Sequence, residues 1–315
     1  ERFNLFGEYA YKINDPTLGN NYIYKPGTAL FISATYAQKG LGISVAMKQV
    51  DNFGFRSDRD AAGTSCIINY LPALTKQHTY QLAAFYPYAT QPNGETGFQA
   101  EVGYKFKKGK KLGGKYGTSV TLNYSSSYGL DTTELHDDAG SRLGYTTNNY
   151  SLGEIYFQDV NVEIFKKFGP KFKGTFLYSF NSYNKNVIEG KSGYPLIVSH
   201  IVVFDLIFKL SDKLTFRTDI EHLYATEDYG SWGLVLAELT IGDNWFVSAM
   251  DQYNYGNEDP FHRVHYVNGQ VGYYWGTNRI VVGYGKQRAG IFCVGGVCRF
   301  VPASNGFAMT ITSSF

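Results

Sequence analysis

Four acidic and imidazole side chains in one short stretch have the chemistry of a hydrolase. The stretch ELHDDAG contains Glu134, His136, Asp137 and Asp138, and such groups can act as general acid and general base on a peptide bond. That chemistry also needs a second acidic pair in a fixed geometry, which strand ends hold more accurately than the middle of a long loop. We therefore interpret the stretch as a solvated loop, and a hydrolase that uses it is the least favoured function.

A second stretch, NEDPFHRVH, offers oxygen and imidazole groups that could bind calcium or zinc. These groups belong to Glu258, Asp259, His262 and His265. Asp-Pro is, however, a common start of a turn. The strand alternation described below also points His265 away from the predicted interior. We predict no metal site and no cofactor.

The stretch GKKLGGKY (109–116) nearly matches the phosphate-binding pattern G-x-x-x-x-G-K-[ST]. Tyr116 replaces the Ser or Thr that binds the metal, and no helix follows to supply its N-terminal dipole. A basic, flexible turn explains the stretch better. The net charge of +2 and the lack of basic-aromatic motifs argue against a nucleic-acid partner. No nucleophile elbow or dinucleotide-binding motif occurs, so we predict that the protein is not an enzyme.

The elements that carry these stretches have the alternation of β-strands. Aromatic residues make up 17% of the chain, which favours strands, and no apolar run is long enough for a membrane-spanning helix. In LTFRTDIEHLY, for example, Phe216 and Ile220 share one face, whereas Arg217, Asp219 and Glu221 share the other. About 16 such segments of roughly 10–14 residues follow one another, longer than the strands of soluble sandwiches.

The connections between these segments alternate in length. The short ones lie near 39 and at 73–78, 108–114, 169–171, 211–213, 242–244 and 276–278, and the long ones include 13–27, 51–62, 127–151, 185–197 and 257–263. β-Sandwiches and β-helices also show strand alternation, but short turns at one end and long loops at the other are typical of outer-membrane barrels. We predict an all-β fold, a single transmembrane antiparallel β-barrel of about 16 strands that comprises residues 1–315.

Aromatic residues near the strand ends favour the same fold. Trp232, Trp245, Trp275 and Phe315 are predicted to lie at the membrane interfaces, where amphipathic rings are stable. The final segment, GFAMTITSSF, alternates and ends in phenylalanine. It resembles the closing strand of bacterial outer-membrane proteins, which the barrel-assembly machinery recognises.

Several longer stretches resemble a large outer-membrane barrel family of Bacteroidota that is known only as a domain of unknown function. They are GTALFISATYAQKGLGISV, DNFGFRSDRD, INYLPALTKQHTYQLAAFYPYATQPNGETGFQAEV and GGVCRFVPASNGF. The resemblance implies an outer-membrane location in a Gram-negative bacterium, and it brings no catalytic motif. It also implies a longer protein with more strands upstream, so the barrel would be part of a larger one.

Strand parity predicts the orientation. The C-terminus of such barrels is periplasmic, so the short turns and both termini would be periplasmic and the long loops extracellular. The polar faces would line the interior as a selectivity zone or as an ion-pair network. The charged residues predicted there are Asp205, Lys209, Arg217, Asp219, Glu221, Glu238, Glu101, Lys105, Asp159 and Glu163.

These observations predict a porin-like channel or solute-uptake pore with a polar interior of mixed charge. The alternative is a structural or assembly subunit of a larger outer-membrane complex, with a plugged interior. Expected partners are the lipid bilayer with its lipopolysaccharide, the barrel-assembly machinery, and other outer-membrane proteins or lipoproteins.

The stretch CVGGVC (293–298) contains two of the three cysteines of the chain. A metal site would need two more ligands, and a redox centre would need thioredoxin-like spacing. The alternation of the flanking segments instead predicts a hairpin centred on Gly295 and Gly296, with Cys293 directly opposite Cys298. The two cysteines would form a non-hydrogen-bonded pair of the antiparallel ladder, in which the Cα atoms are close enough for a disulfide. We predict a Cys293–Cys298 disulfide at the tip of an extracellular hairpin, with Cys66 left free.

Overall fold

One antiparallel sheet of 14 strands organises the chain, and two further strands form a separate hairpin. The computed structural model describes residues 2–63, 65–135, 142–294 and 297–314, and of residues 293, 294 and 297–299 it describes the backbone alone. The strands are β1 (Phe3–Lys12), β2 (Gly27–Gln38), β3 (Leu41–Asp51), β4 (Gly94–Phe106), β5 (Thr118–Glu134), β6 (Tyr145–Lys167), β7 (Phe172–Tyr183), β8 (Ile197–Ser211), β9 (Leu214–Ala225), β10 (Trp232–Ile241), β11 (Trp245–Asn254), β12 (His265–Trp275), β13 (Asn278–Gln287), β14 (Gly290–Val294), β15 (Val297–Val301) and β16 (Ser304–Thr312).

Helical structure is limited to α1 (Lys185–Ile188) and two 3-10 turns, Leu18–Asn20 and Pro260–His262, in the part of the chain that the structure describes. None of these described helices has the length and apolarity needed to cross a membrane.

Consecutive strands pair with one another from β1 to β13, and β16 pairs with β13. Because every pair is antiparallel, successive connections leave from opposite ends of the sheet. The connections β2–β3, β4–β5, β6–β7, β8–β9, β10–β11 and β12–β13 share one end, which we call the short-turn end. The remaining connections lie at the opposite, long-loop end. The predicted all-β class and antiparallel pairing are confirmed.

The prediction of a turn between two strands at residues 73–78 is wrong. Residues 52–93 join β3 to β4, and within the described part of this connection an isolated bridge between Arg56 and Ile67 is the only ladder contact. Three prolines interrupt the connection: Pro72, Pro87 and Pro92. Proline has no N–H to donate to a ladder, so a central strand here would be disfavoured. The 16 strands of the structure are therefore 14 in the sheet and two in the hairpin.

Much of the long loop predicted at 127–151 is strand instead. β5 continues to Glu134 and β6 begins at Tyr145, with register shifts between their ladders around Leu130. A Cβ atom on Gly153 would lie only 2.8 Å from the backbone oxygen of Leu130. Glycine is thus required where the bulged strands approach each other most closely.

Residues 70–93, which we call the cover segment, pack against one face of the sheet. Their buried side chains include Leu82, Phe85 and Tyr88, and they form one apolar cluster with strand residues such as Leu223 and Leu234. Burying a side chain of this size stabilises a fold by roughly 1.5–3 kcal/mol. We call the face that this segment contacts the covered face, and the other the open face.

The two faces differ in character, as β9 illustrates. Arg217, Asp219 and Glu221 point to the covered face, whereas Ile220 and Tyr224 lie on the open face and are exposed. The same arrangement extends across the sheet. Large apolar side chains exposed on the open face include Ile32, Val45, Val102, Leu122, Val160, Phe204, Ile220, Val235, Val247, Val271, Val282 and Met309.

The hairpin of β14 and β15 leaves the sheet after β13 and returns to it at β16. Pro302 lies between β15 and β16 and has no N–H to donate to a ladder, so the hairpin strand β15 does not continue into the sheet strand β16. Phe292 and Val301 are buried in the apolar cluster, so the base of the hairpin leans on the protein. The segments 279–294 and 297–315 that flank the predicted hairpin are expected to be continuous strands, and each is instead divided between the sheet and the hairpin.

Candidate functional site

The polar contacts between the cover segment and the covered face form the candidate site. The first group lies on β3 and β4, where Lys48 Nζ is 2.8 Å from Glu95 Oε1 and both side chains are almost fully buried. Lys48 also donates to the backbone oxygen of Pro72 and to Thr90 Oγ1, both at 2.6 Å. One buried ammonium group thus holds both ends of the cover segment.

Tyr88 adds to this first group. Its hydroxyl donates to Glu95 Oε2 at 2.5 Å, and its ring stacks on Phe157 of β6 with centroids 5.1 Å apart. Burial is the largest of the causes that raise the pKa of Tyr88, and the negative charge of Glu95 adds to it. The hydroxyl therefore stays protonated at neutral pH and remains a donor.

The second group lies on β6 and β7. His78 Nε2 is 2.7 Å from Asp159 Oδ2, and Ser179 Oγ donates to the other oxygen of Asp159 at 2.7 Å. Lys76 Nζ is 3.6 Å from Glu163 Oε2. Asp159 and Glu163 of β6 thus both contact basic side chains of the cover segment.

The third group lies on β9, where Glu221 is only 2% exposed. Its two carboxylate oxygens accept the backbone N–H groups of Gln81 at 3.0 Å and Leu82 at 2.6 Å. Gln81 Nε2 also reaches Met250 Sδ on β11 at 3.1 Å. A carboxylate that satisfies two consecutive N–H groups fixes the position of the segment as well as its proximity.

Arg217 and Asp205 form a separate ion pair on the covered face. The guanidinium Nε and Nη2 atoms donate to the two oxygens of Asp205 at 2.9 and 3.2 Å, and Asp219 lies 3.7 Å from Nη2. Glu238 on β10 is directly opposite Arg217 in the ladder. Neighbouring strands therefore bring together Asp205, Arg217, Asp219 and Glu238.

By strand alternation, all ten charged residues predicted for the interior lie on the covered face. Asp159, Asp219, Glu221 and Glu238 are buried, and the cover segment contacts the first and third of them. Lys209 instead reaches Asp212 in a turn, at 2.9 Å. The residues toward the short-turn end, Glu101, Lys105, Glu163 and Lys209, are partly or fully exposed.

The side chains that complete the site are not predicted from the sequence; they are Lys76, His78, Gln81 and Tyr88. The sequence of their region predicts a turn at 73–78 flanked by strands. The prolines at 72, 87 and 92 could have excluded those strands, although no periodicity indicates which surface the segment contacts.

Two of the predicted interface tryptophans are exposed and one is not. Trp245 and Trp275 are 49% and 42% exposed near the short-turn end. Trp232 differs from the expectation: it is only 2% exposed, and its ring lies 5.2 Å from that of Phe85. Position 232 is on the covered face, where the cover segment shields it from solvent. Phe315 lies outside the described residues.

In the NEDPFHRVH stretch the two histidines contact different carboxylates. His262 Nδ1 is 2.8 Å from Asp259, whereas His265 Nδ1 is 2.7 Å from Asp251, a different carboxylate. Within the described ranges, no group of three or more His, Cys, Asp or Glu side chains could hold a metal ion. Of the ELHDDAG stretch, residues 136–140 lie outside the described residues.

The backbone register places Cys293 opposite Cys298, as the sequence predicts. The side chains of both lie outside the described part, so the disulfide remains a prediction. Cys66 is exposed and unpaired among the described residues.

No curated protein matches the chain. A family model does, over residues 1–315, and its description is a family of unknown function (DUF6029). The chain belongs to this family of unknown function.

Proposed function

We propose that the protein is an integral β-barrel of a bacterial outer membrane, closed by its own cover segment, that serves as a structural or assembly subunit of the cell envelope. One observation carries the membrane proposal. The open face exposes large apolar side chains along the whole sheet, while charged side chains are buried on the covered face. This distribution is the reverse of that in a water-soluble protein. It is costly in water and favourable in lipid, because each Å² of apolar surface removed from water stabilises the protein by about 25 cal/mol.

The dimensions of the sheet support the same proposal. Its shortest strand, β16, has 9 residues, and a tilted strand needs about 9–11 to cross a bilayer. An even number of strands with short turns at one end and long loops at the other is typical of outer-membrane barrels. Closure would pair β1 with β16, and both of these strands are exposed on their two faces. An unpaired strand edge inside lipid is strongly unfavourable.

The cover segment favours a closed interior over an open pore. A barrel of this size is too wide for strand side chains alone to fill. Here the segment spans the covered face from Lys48 on β3 to Met250 on β11. Three groups of buried polar contacts hold it there, so an ion passing along the interior would first have to displace it.

The test combines membrane fractionation with planar-bilayer recording of the full chain. We expect the protein to resist carbonate extraction from outer membranes, to migrate faster on gels before boiling than after, and to give no stable conductance steps. Co-purification of defined envelope proteins after mild detergent extraction would support the assembly role. Release by carbonate would refute the membrane proposal, and steady conductance of the unmodified chain would refute the closed interior.

A gated solute-uptake pore is the second candidate, and a specific observation favours it. Toward the short-turn end the covered face is not sealed, since Lys105 and Lys209 are exposed and Glu163 is 34% exposed. A charged vestibule of this kind is compatible with passage once the segment moves. Conductance that appears only after Glu221 is replaced by Ala would favour this candidate over the structural role.

A further inference from the structure

An arginine packed against two aromatic rings, Arg288, lies at the long-loop end between β13 and β14. The guanidinium carbon of Arg288 is 3.8 Å from the ring centroid of Phe85 and 5.8 Å from that of Trp232. These two rings are themselves 5.2 Å apart. The cation is therefore packed on an aromatic wall that the cover segment and β10 build together.

In the described part of the chain, the groups that act on this charge do not include a carboxylate. Arg288 belongs to none of the ion pairs between described residues, and its Nε atom is buried without a hydrogen-bond acceptor. The titratable groups that act on it are the phenols of Tyr86, Tyr229 and Tyr266. Burial lowers the pKa of Arg288, but a guanidinium still keeps its proton. The Arg288 side chain is half-buried, and a charge withdrawn from water in this way is costly without a partner.

Two more donors lie around the aromatic residues that contact or neighbour Arg288, namely Trp232 and Tyr266. Trp232 is 2% exposed, and its Nε1 atom also lacks an acceptor in the described part of the chain. Lys286 Nζ is 5.0 Å from the ring centroid of Tyr266, which is 6.0 Å from that of Trp232. Lys286 likewise belongs to none of the ion pairs between described residues. The cluster thus offers two positive charges and an indole N–H.

We propose that Arg288, Lys286 and Trp232 form a binding site for a phosphate group. Water could accept the unused hydrogen bonds, but it would leave the charge of Arg288 unbalanced. A guanidinium binds phosphate through parallel N–H···O bonds, and a second cation suits an anion that carries up to two charges. A carboxylate would neutralise only one of the two. The site does not depend on the membrane proposal, because the contacts that form it are internal to the chain.

The site also links ligand and cover segment. Phe85 belongs to that segment, and its ring carries the guanidinium of Arg288. A phosphate bound to Arg288 would therefore stabilise the segment in its observed position. The group could belong to free phosphate or to the headgroup of a phospholipid, and the two sources share the same recognition chemistry.

The test is a titration of the detergent-solubilised full chain, followed by tryptophan fluorescence and by calorimetry at constant ionic strength. The probes are inorganic phosphate, acetate, and dihexanoyl phosphatidic acid below its micellar concentration. We expect saturable binding of phosphate, with acetate at least ten-fold weaker. If phosphatidic acid binds at least ten-fold more tightly than phosphate, the source is a lipid headgroup; equal affinities indicate free phosphate.

The variants assign the site to residues. Arg288→Gln should weaken phosphate binding at least ten-fold and Lys286→Gln several-fold, whereas Lys213→Gln, an exposed cation at the short-turn end, should bind as the unmodified chain does. If Arg288→Gln fails to fold, Lys286→Gln decides, because its side chain is only half-buried. The proposal is overturned if phosphate shows no saturable binding, or if every variant that folds binds as Lys213→Gln does.

Discussion

The carboxylate of Glu221 accepts the backbone N–H of Leu82 at 2.6 Å, across 139 residues of chain. Leu82 belongs to the cover segment, and its side chain is fully buried against the sheet. A polar contact and an apolar one therefore hold the same residue, and the position of the segment depends on both.

Replacing Glu221 by Ala should loosen the cover segment. The substitution leaves the N–H groups of Gln81 and Leu82 buried without an acceptor, which costs about 1–3 kcal/mol for each group. Glu221→Gln keeps one acceptor oxygen and should lose less. We expect faster tryptic cleavage after Lys76 and a lower denaturant midpoint.

The matched control for this change is Glu258→Ala, which removes an exposed loop carboxylate. It should leave both the cleavage rate and the midpoint unchanged. Equal behaviour of the variants at positions 221 and 258 would show that Glu221 does not hold the segment.

How much of this site the sequence predicts is clear from β9. Its alternation correctly places Arg217, Asp219 and Glu221 on one face, because a period of two needs no knowledge of the neighbouring strands. The pairing of Arg217 with Asp205 is not predictable in this way, since it depends on the register between β8 and β9.

The cover segment is harder still to predict. Leu82 and Phe85 do not belong to an alternating apolar and polar pattern that would predict a buried face. Their burial results from packing against strands that lie far away in the sequence. An apolar run interrupted by proline resembles a pair of short strands as closely as it resembles a packed irregular segment. Only the tertiary structure distinguishes the two.

The buried pair of Lys48 and Glu95 should show strong coupling. Lys48→Met removes the ammonium and leaves Glu95 as a buried, unpaired carboxylate. Such a change typically lowers the free energy of unfolding by about 3–5 kcal/mol. The double variant Lys48→Met/Glu95→Gln should recover a large part of this loss, because no charge remains buried. A double-mutant cycle of denaturant unfolding measures the coupling.

The exposed pair of Lys191 and Glu189, whose nitrogen and oxygen are 2.6 Å apart, is the control for that cycle. We expect a coupling below about 1 kcal/mol there, since solvent screens exposed ion pairs. A coupling at Lys48 and Glu95 no larger than in this control would contradict the role assigned to the buried pair.

The facing positions of Cys293 and Cys298 predict a disulfide. Opposed residues of an antiparallel pair are about 4.5–5.5 Å apart between Cα atoms, within the range that disulfides use. Peptide mapping of the non-reduced protein should yield one cross-linked peptide that contains both cysteines, while Cys66 reacts with an alkylating agent. Alkylation of all three cysteines without prior reduction would disprove it.

Replacing Val235 by Arg should distinguish a membrane barrel from a water-soluble sheet. Val235 lies near the middle of β10 on the open face and is 51% exposed. A lipid-facing arginine near the bilayer midplane costs about 2–4 kcal/mol, so we expect less folded protein in outer-membrane fractions. Asp243→Arg, in the exposed turn after β10, is the matched control and should assemble normally. In water an exposed arginine would be harmless at position 235, so equal membrane levels of the two variants would place the open face in solvent rather than in lipid.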